Sequence, residues 1–152
     1  MAILNPEHLF EQADSLIGPP PAGPPRQVDL RRAISAAYYG VFHAAVTAAS
    51  DLVVGAVHRG SGRYALVYRS IQHRSLREVC EDAQKQTLPA KYAAYAPQNG
   101  FGPDIAAFAT AAIELQEKRH RADYDPHIRV NSADATFAVA AARAALTRLQ
   151  KA

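Results

Sequence analysis

The densest polar cluster in the chain is KRHRADYDPHIR, from Lys118 to Arg129. Between Arg119 and His127 it holds two arginines, two histidines, two aspartates and a tyrosine. A histidine with a pKa near neutrality suits proton transfer, and an arginine fork suits charge on phosphoryl oxygens. Five residues separate Arg121 from His127, and four separate Arg119 from Tyr124. A helix C-terminus attracts a cation by about 0.3–1 kcal/mol. That explains Arg119 or Arg121 as a solvated helix end, but not the whole cluster. The structural alternative buries Tyr124 in the core with its hydroxyl on a backbone group and pairs Asp123 with Arg119 or Arg121.

A second basic stretch runs from His58 to Arg77, with no acid between Asp51 and Glu78 and with Tyr64 and Tyr68 interleaved. Arginines among aromatics can hold phosphates and stack bases, which makes Arg59, Arg63, Arg74 and Arg77 candidate RNA contacts. The helical period brings Arg63, Arg74 and Arg77 roughly onto one face and leaves Arg59 in a loop. A solvated basic face is the alternative reading. His43, four residues after Tyr39, reads as a satisfied core or interface histidine, Tyr38 and Tyr39 as packing residues, and Cys80 as a small core residue. His120 and His127 make no metal pair, because Pro126 interrupts the helix between them and no carboxylate spacing completes a site. No phosphate-cradling glycine loop and no nucleophile elbow is present. No cofactor or metal is therefore expected.

These groups must be positioned by helices. Alanine is abundant, and no segment alternates with period two, so the chain reads as all-α, a bundle of about five helices. Asn5 caps a first helix from Pro6 to about Leu16, with Leu9, Phe10, Ala13, Leu16 and Ile17 on one stripe. GPPPAGPP, residues 18–25, reads as an extended inter-helix connector, since its prolines deny donors and clash with a preceding turn; the alternative is a ligand for a partner that reads proline-rich segments. A long second helix, about Gln27 to Val53, carries Leu30, Ile34, Ala37, Val41, Ala44 and Ala48 in a seven-residue repeat, and its wide stripe makes it central. After a loop at Gly55–Gly62, a third helix is expected from Arg63 to Gln86, with Leu66, Val67, Ile71, Leu76, Val79, Cys80 and Ala83 apolar. Thr87 to Gly102 reads as a long connection, helical at most around Lys91 to Tyr95. A fourth helix, Pro103 to Tyr124, puts Ile105, Phe108, Ala112, Leu115, Arg119 and Ala122 on one face, so an arginine sits in the core stripe. Asp125-Pro126 stops it. Asn131 caps a fifth, with Phe137, Ala141, Ala144 and Leu149 toward the core.

With 152 residues, 49% of them hydrophobic and 20% charged, the chain is one domain, too apolar for disorder and long enough to hold a core without disulfide or metal. One cysteine excludes an intrachain disulfide framework. No signal peptide is visible at the N-terminus. The uncharged run from Ala33 to Ser50 has too few large aliphatics to favour a bilayer, so it reads as a buried helix, with no membrane partner and a cytoplasmic location. The net charge of +3 tolerates an acidic partner without demanding one.

Two regions together resemble the HEPN superfamily. These are small helical bundles, many of them RNases, found alone, in toxin–antitoxin pairs and in larger defence proteins. DLRRAISAAYYGVFHAAVTAAS, Asp29 to Ser50, is similar to the aromatic core helix of one bacterial branch, with its small-residue-YY-x-x-FH pattern. EKRHRADYDPHIRVNSADATFAVAAARAAL, Glu117 to Leu146, is similar to that branch's RxxADY helix end and the helix after it. The resemblance spans about Gln27 to the C-terminus.

It implies a helical bundle that acts as a homodimer, with an arginine and a histidine from each copy facing across a shared cleft. The family's motif is an arginine, commonly a polar residue, a short spacer and a histidine. Arg121 and His127 satisfy the spacing but place Ala122 at the polar position. Arg119 has polar His120 beside it, but Tyr124 stands where the histidine would. The implied activity is metal-independent RNA cleavage, in which a base removes the 2′-OH proton and the oxygen attacks phosphorus. His127 would be the base, Arg121 or Arg119 the phosphate clamp, and Asp123 or His120 orienting groups. The alternative is a non-catalytic interaction subunit that pairs with a nucleotidyltransferase-type protein, with Tyr124 as acceptor.

Overall fold

Helix α1 (Pro6–Ile17) begins where Asn5 begins it. The Asn5 carboxamide accepts the Glu7 N–H at 3.0 Å, and a proline in the first turn forfeits no helical bond. The computed structural model describes residues 3–18, 24–85, 87, 90, 94 and 100–152. Most of the proline-rich connector, and the short helical pieces expected around Lys91 to Tyr95, therefore lie outside the described residues. Among those described are five further α-helices: α2 (Gln27–Val53), α3 (Gly62–Ser70), α4 (His73–Ala83), α5 (Pro103–Tyr124) and α6 (Ser132–Lys151), with a 3-10 turn at Ala56–His58. No strand occurs among the described residues. The chain is an all-α bundle. None of these helices is long and apolar enough to cross a membrane.

Helix α2 is the axis of the bundle and touches α1, α3, α5 and α6. Its buried side chains are mostly small, with Ala33, Ala36, Ala37 and Ala44 against Leu30, Ile34, Val41 and Val46. Alanines on the facing helices, Ala109 and Ala112 of α5 and Ala135, Ala138, Ala142 and Ala145 of α6, are buried as well. Small residues on both sides let helix axes approach closely, so contact area comes from backbone proximity rather than from large side chains. Phe10 is the exception. It is fully buried, and its ring lies where a Cβ on Gly40 would be. Helix α1 is also tied to α6 through Arg143, whose guanidinium donates to Glu7 at 2.9 Å and Asp14 at 2.8 Å.

Three expectations are corrected. The single helix expected from Arg63 to Gln86 is two, because Ile71 and Gln72 are extended. Neither residue is a glycine or proline. The break lets α3 pack on α2 while α4 turns to pack on α5. Among the described residues the bundle therefore has six α-helices, against about five expected, and Leu66 and Val79, two of the apolar positions of that stretch, are 72% and 60% exposed. On α6 the buried stripe runs through Ala135, Ala138, Val139, Ala142 and Ala145, and Phe137 is 64% exposed. An alanine-rich helix has little amphipathic contrast to set its rotation, so neighbouring packing decided it.

Gly40→Ala removes the space that Phe10 fills. The alanine gains about 1 kcal/mol of helix propensity, but overpacking a fixed ring costs about 1–3 kcal/mol. The expected outcome is a lower Tm, by about 2–4 °C for each net kcal/mol, measured by thermal melting. A Tm at or above the parent's would show that the Phe10 ring relaxes freely.

Candidate functional site

The core stripe of α5 continues through Phe108, Ala112 and Leu115 to Arg119 and Ala122, all buried. At Arg119 the stripe carries a charge, and the side chain is 10% exposed. The guanidinium lies over two rings of α2, 5.0 Å from the Tyr38 centroid and 5.7 Å from that of Tyr39. Such stacking contributes about 0.5–2 kcal/mol. Its ion partner is Asp123, one turn on, at a long 3.7 Å, and the Asp123 carboxylate also accepts from the Ser35 hydroxyl at 3.4 Å. The buried Nε finds no acceptor among the described residues. A buried unmet donor costs about 1–3 kcal/mol.

Behind this arginine, α4 presents its first residue. His73 stacks on Phe42 at 4.0 Å, and its Nδ1 is 2.6 Å from the Tyr38 hydroxyl. Burial pushes the Tyr38 hydroxyl up to about 12, against the opposing pull of Arg119, so the phenol keeps its proton at neutral pH. Burial lowers the His73 pKa, and the charges of Arg119 and His43 lower it further. Burial alone lowers that of His43, whose Nδ1 is 2.6 Å from the Tyr68 hydroxyl. His43 is thus a satisfied interior histidine, as its place on α2 indicated.

In front of Arg119 lies an open groove of about 500 Å³, lined by Arg77, Gln116, Glu117, Arg119, His120 and Arg121. Arg119, His120 and Arg121 are therefore brought together. His127 is not among the lining residues. It is exposed on the loop after α5, its backbone N–H donating to the Asp125 carboxylate at 2.9 Å. Asp123 does pair with Arg119, as the structural alternative holds. Tyr124 departs from that alternative: it is 67% exposed, its ring 5.0 Å from that of His120.

The loop bearing His127 is held from α2. Arg31 donates to the carbonyls of Ala122 at 3.1 Å, Asp125 at 2.7 Å and Ile128. A cation there also complements the negative end of the α5 dipole. Gln27 bonds both ways to Val130, accepting its N–H at 3.0 Å and donating to its carbonyl at 2.5 Å. Sequence reasoning missed Arg31, Gln27 and His73. The charged start of α2 beside an apolar repeat was the available signal for Arg31; nothing local marks His73.

Most of the candidate arginines in the basic stretch are held by acids. Arg59 is bound by Asp51, with Nε to Oδ1 at 2.9 Å, and Tyr64 donates to the same carboxylate at 2.9 Å. The Arg59 hydrogen bonds hold the Asp51 carboxyl below its ordinary range. Arg74 pairs with Glu78, and Arg77 with Glu81 and Glu117. Arg63 is exposed on α3. Of the four, Arg77 lines the groove at Arg119. Among the described residues no three His, Cys, Asp or Glu side chains gather as metal ligands would.

Compared with protein-family models, with curated proteins and with solved structures, the chain matches none.

Two expected outcomes follow from the buried charge. Arg119→Met keeps the length of the side chain and removes the unmet donor, so Tm should equal or exceed the parent's by thermal melting; a fall of more than a few degrees would make the guanidinium a structural anchor. The pH dependence has a definite sign. His73 and His43 have folded pKa values below the unfolded 6.5, so the unfolded chain takes up protons first as pH falls. Stability is full above about pH 6.5 and drops below it. Chemical denaturation from pH 7.5 to 5 should show that loss, with a shallower slope for the double variant His43→Gln, His73→Gln; an unchanged slope would assign the effect elsewhere.

Proposed function

We propose that the chain is a HEPN-like, RNA-associated module of the toxin or defence type that works as a homodimer and cuts RNA without metal. One observation carries the reading. A buried guanidinium, poised on two tyrosine rings and with its Nε unmet, faces an open groove beside a second arginine and a histidine. A phosphate diester in that groove would meet the part of Arg119 that lines it and Arg121 beside it, and both arginines match the charge that develops on its oxygens. His120 supplies an imidazole within the same groove. His127, the position that the motif spacing favours, would act from the exposed loop once a second copy closes over it.

The interaction-subunit reading has its own support in Tyr124. Its exposed ring would make the hydroxyl accessible to a nucleotidyltransferase-type partner.

Labelled single-stranded RNA, incubated with the protein in chelator, tests the proposal. The parent should retard RNA with a steep dependence on salt and cleave it. Arg119→Met and Arg121→Ala should weaken binding at least tenfold, and loss of cleavage in His120→Ala or in His127→Ala identifies the working imidazole. Absence of binding at low ionic strength, or binding unaffected by Arg119→Met, overturns the RNA reading. Binding with no cleavage removes the nuclease and leaves the interaction subunit.

A further inference from the structure

A second groove opens along α5, between the loop after that helix and the first turns of α6. Three cations line it, Lys118, Arg121 and Arg129, and its volume is about 260 Å³. None of the three takes part in an ion pair among the described residues, whereas Arg59, Arg74, Arg77, Arg143 and Arg148 all do. The carboxylate on the groove, that of Asp134, is occupied in the cap of α6, where it accepts the Asn131 N–H at 3.1 Å. The apolar part of the lining is Ile34 and Val130, both buried, the half-buried Ile128, and the exposed ring of Phe137. The Lys118 ammonium sits over that ring, 4.7 Å from its centroid.

This combination selects a ligand class. Arg121 and Arg129, without partners among the described residues, and Lys118, resting on the Phe137 ring, repel a cation, and a neutral apolar ligand would leave all three without a counter-charge. The mostly exposed Phe137 ring, on which the flexible Lys118 side chain rests, offers a flat ring a better seat than it offers a hydrated ion. The groove is smaller than the roughly 300–1,000 Å³ of ordinary small-molecule pockets, so it admits one such unit, not a run of them. It is also set in place beforehand, because Gln27 fixes Val130 and Arg31 fixes Ile128 from α2; little ordering remains to be done on binding. Arg121 lines both this groove and the one at Arg119, so an anionic strand crossing α5 touches both.

We infer that this groove is a subsite for a single unstacked nucleotide, its base against Phe137 and Val130 and its phosphate between Arg121 and Arg129. The inference deepens the RNA reading above by naming where a base is held. Base–aromatic contacts of this kind tolerate any base, so the subsite distinguishes nucleotide from phosphate rather than one base from another.

Calorimetric titration of the full chain with uridine and adenosine 5′-monophosphates, and separately with inorganic phosphate, tests it. Both nucleotides should bind, with inorganic phosphate at least tenfold weaker. Phe137→Ala should weaken nucleotide binding by about five- to a hundredfold while leaving phosphate unchanged. Arg129→Ala should weaken both. Phe137 is mostly exposed, so its variant should melt with the parent, and a matched Tm makes the comparison valid. No nucleotide binding, equal affinity for phosphate and nucleotide, or a Phe137→Ala titration identical to the parent's each overturns the subsite. Equal competition by a short polyglutamate also overturns it, since the groove would then read charge alone. The two readings fail separately. RNA retention indifferent to Arg119→Met, with nucleotide binding still lost in Phe137→Ala, removes the first groove and keeps the second; the converse removes only the subsite.

Discussion

A guanidinium occupies a position on the core stripe of α5 that an apolar side chain of similar length would fill at lower cost. Desolvating a charge is expensive, and one carboxylate at 3.7 Å is a weak counterweight. What makes the position tolerable is the surface of α2 beneath it. Tyr38 and Tyr39 offer their ring faces to the cation, and Asp123, itself held by the Ser35 hydroxyl, pairs with it at the rim. The tyrosine pair is in turn held by His73, which fixes the start of α4. One charge on one helix thus meets the facing surface of α2, behind which His73 brings in α4.

The second constraint is the clamp between the first turn of α2 and the segment after α5. Helix C-termini leave carbonyls without partners. Here Arg31 reaches from another helix to satisfy them, and Gln27 treats Val130 as a strand neighbour would. The loop is short and carries Pro126, which cannot donate. Holding it from α2 fixes the end of α5 relative to the start of α6. Both grooves lie against α5 near that junction, so their shapes depend on bonds made by residues about ninety positions away in the chain.

Much of this was legible beforehand. The limits of α1, α2 and α5 follow from Asn5, from the proline-rich connector, and from the Pro103 and Asp125-Pro126 boundaries; the stripe that places Arg119 inward is a matter of helical period. The parts that were not legible share a cause. The α3–α4 break carries no glycine or proline, and the burial of α6 turns on which alanines meet α2 and α5. In both places local preference is nearly flat, and long-range packing selects among states of similar local energy. The basic stretch left two readings open for the opposite reason. Its lack of internal acids is real along the chain, but Asp51, Glu78, Glu81 and Glu117 approach it in space.

By itself, then, the order of residues determined that the chain is helical, where its longest helices begin and end, and that an arginine must enter the core near the end of α5. Periodicity and proline act locally, so they can be read locally. Only the tertiary structure decided which groups meet that arginine, that His73 stands behind Tyr38, that His127 lies outside the groove, and that Phe137 is left exposed with Lys118 resting on its ring. Those outcomes are differences between alternative packings of alanine-rich surfaces, and such differences exist only once every helix is in place.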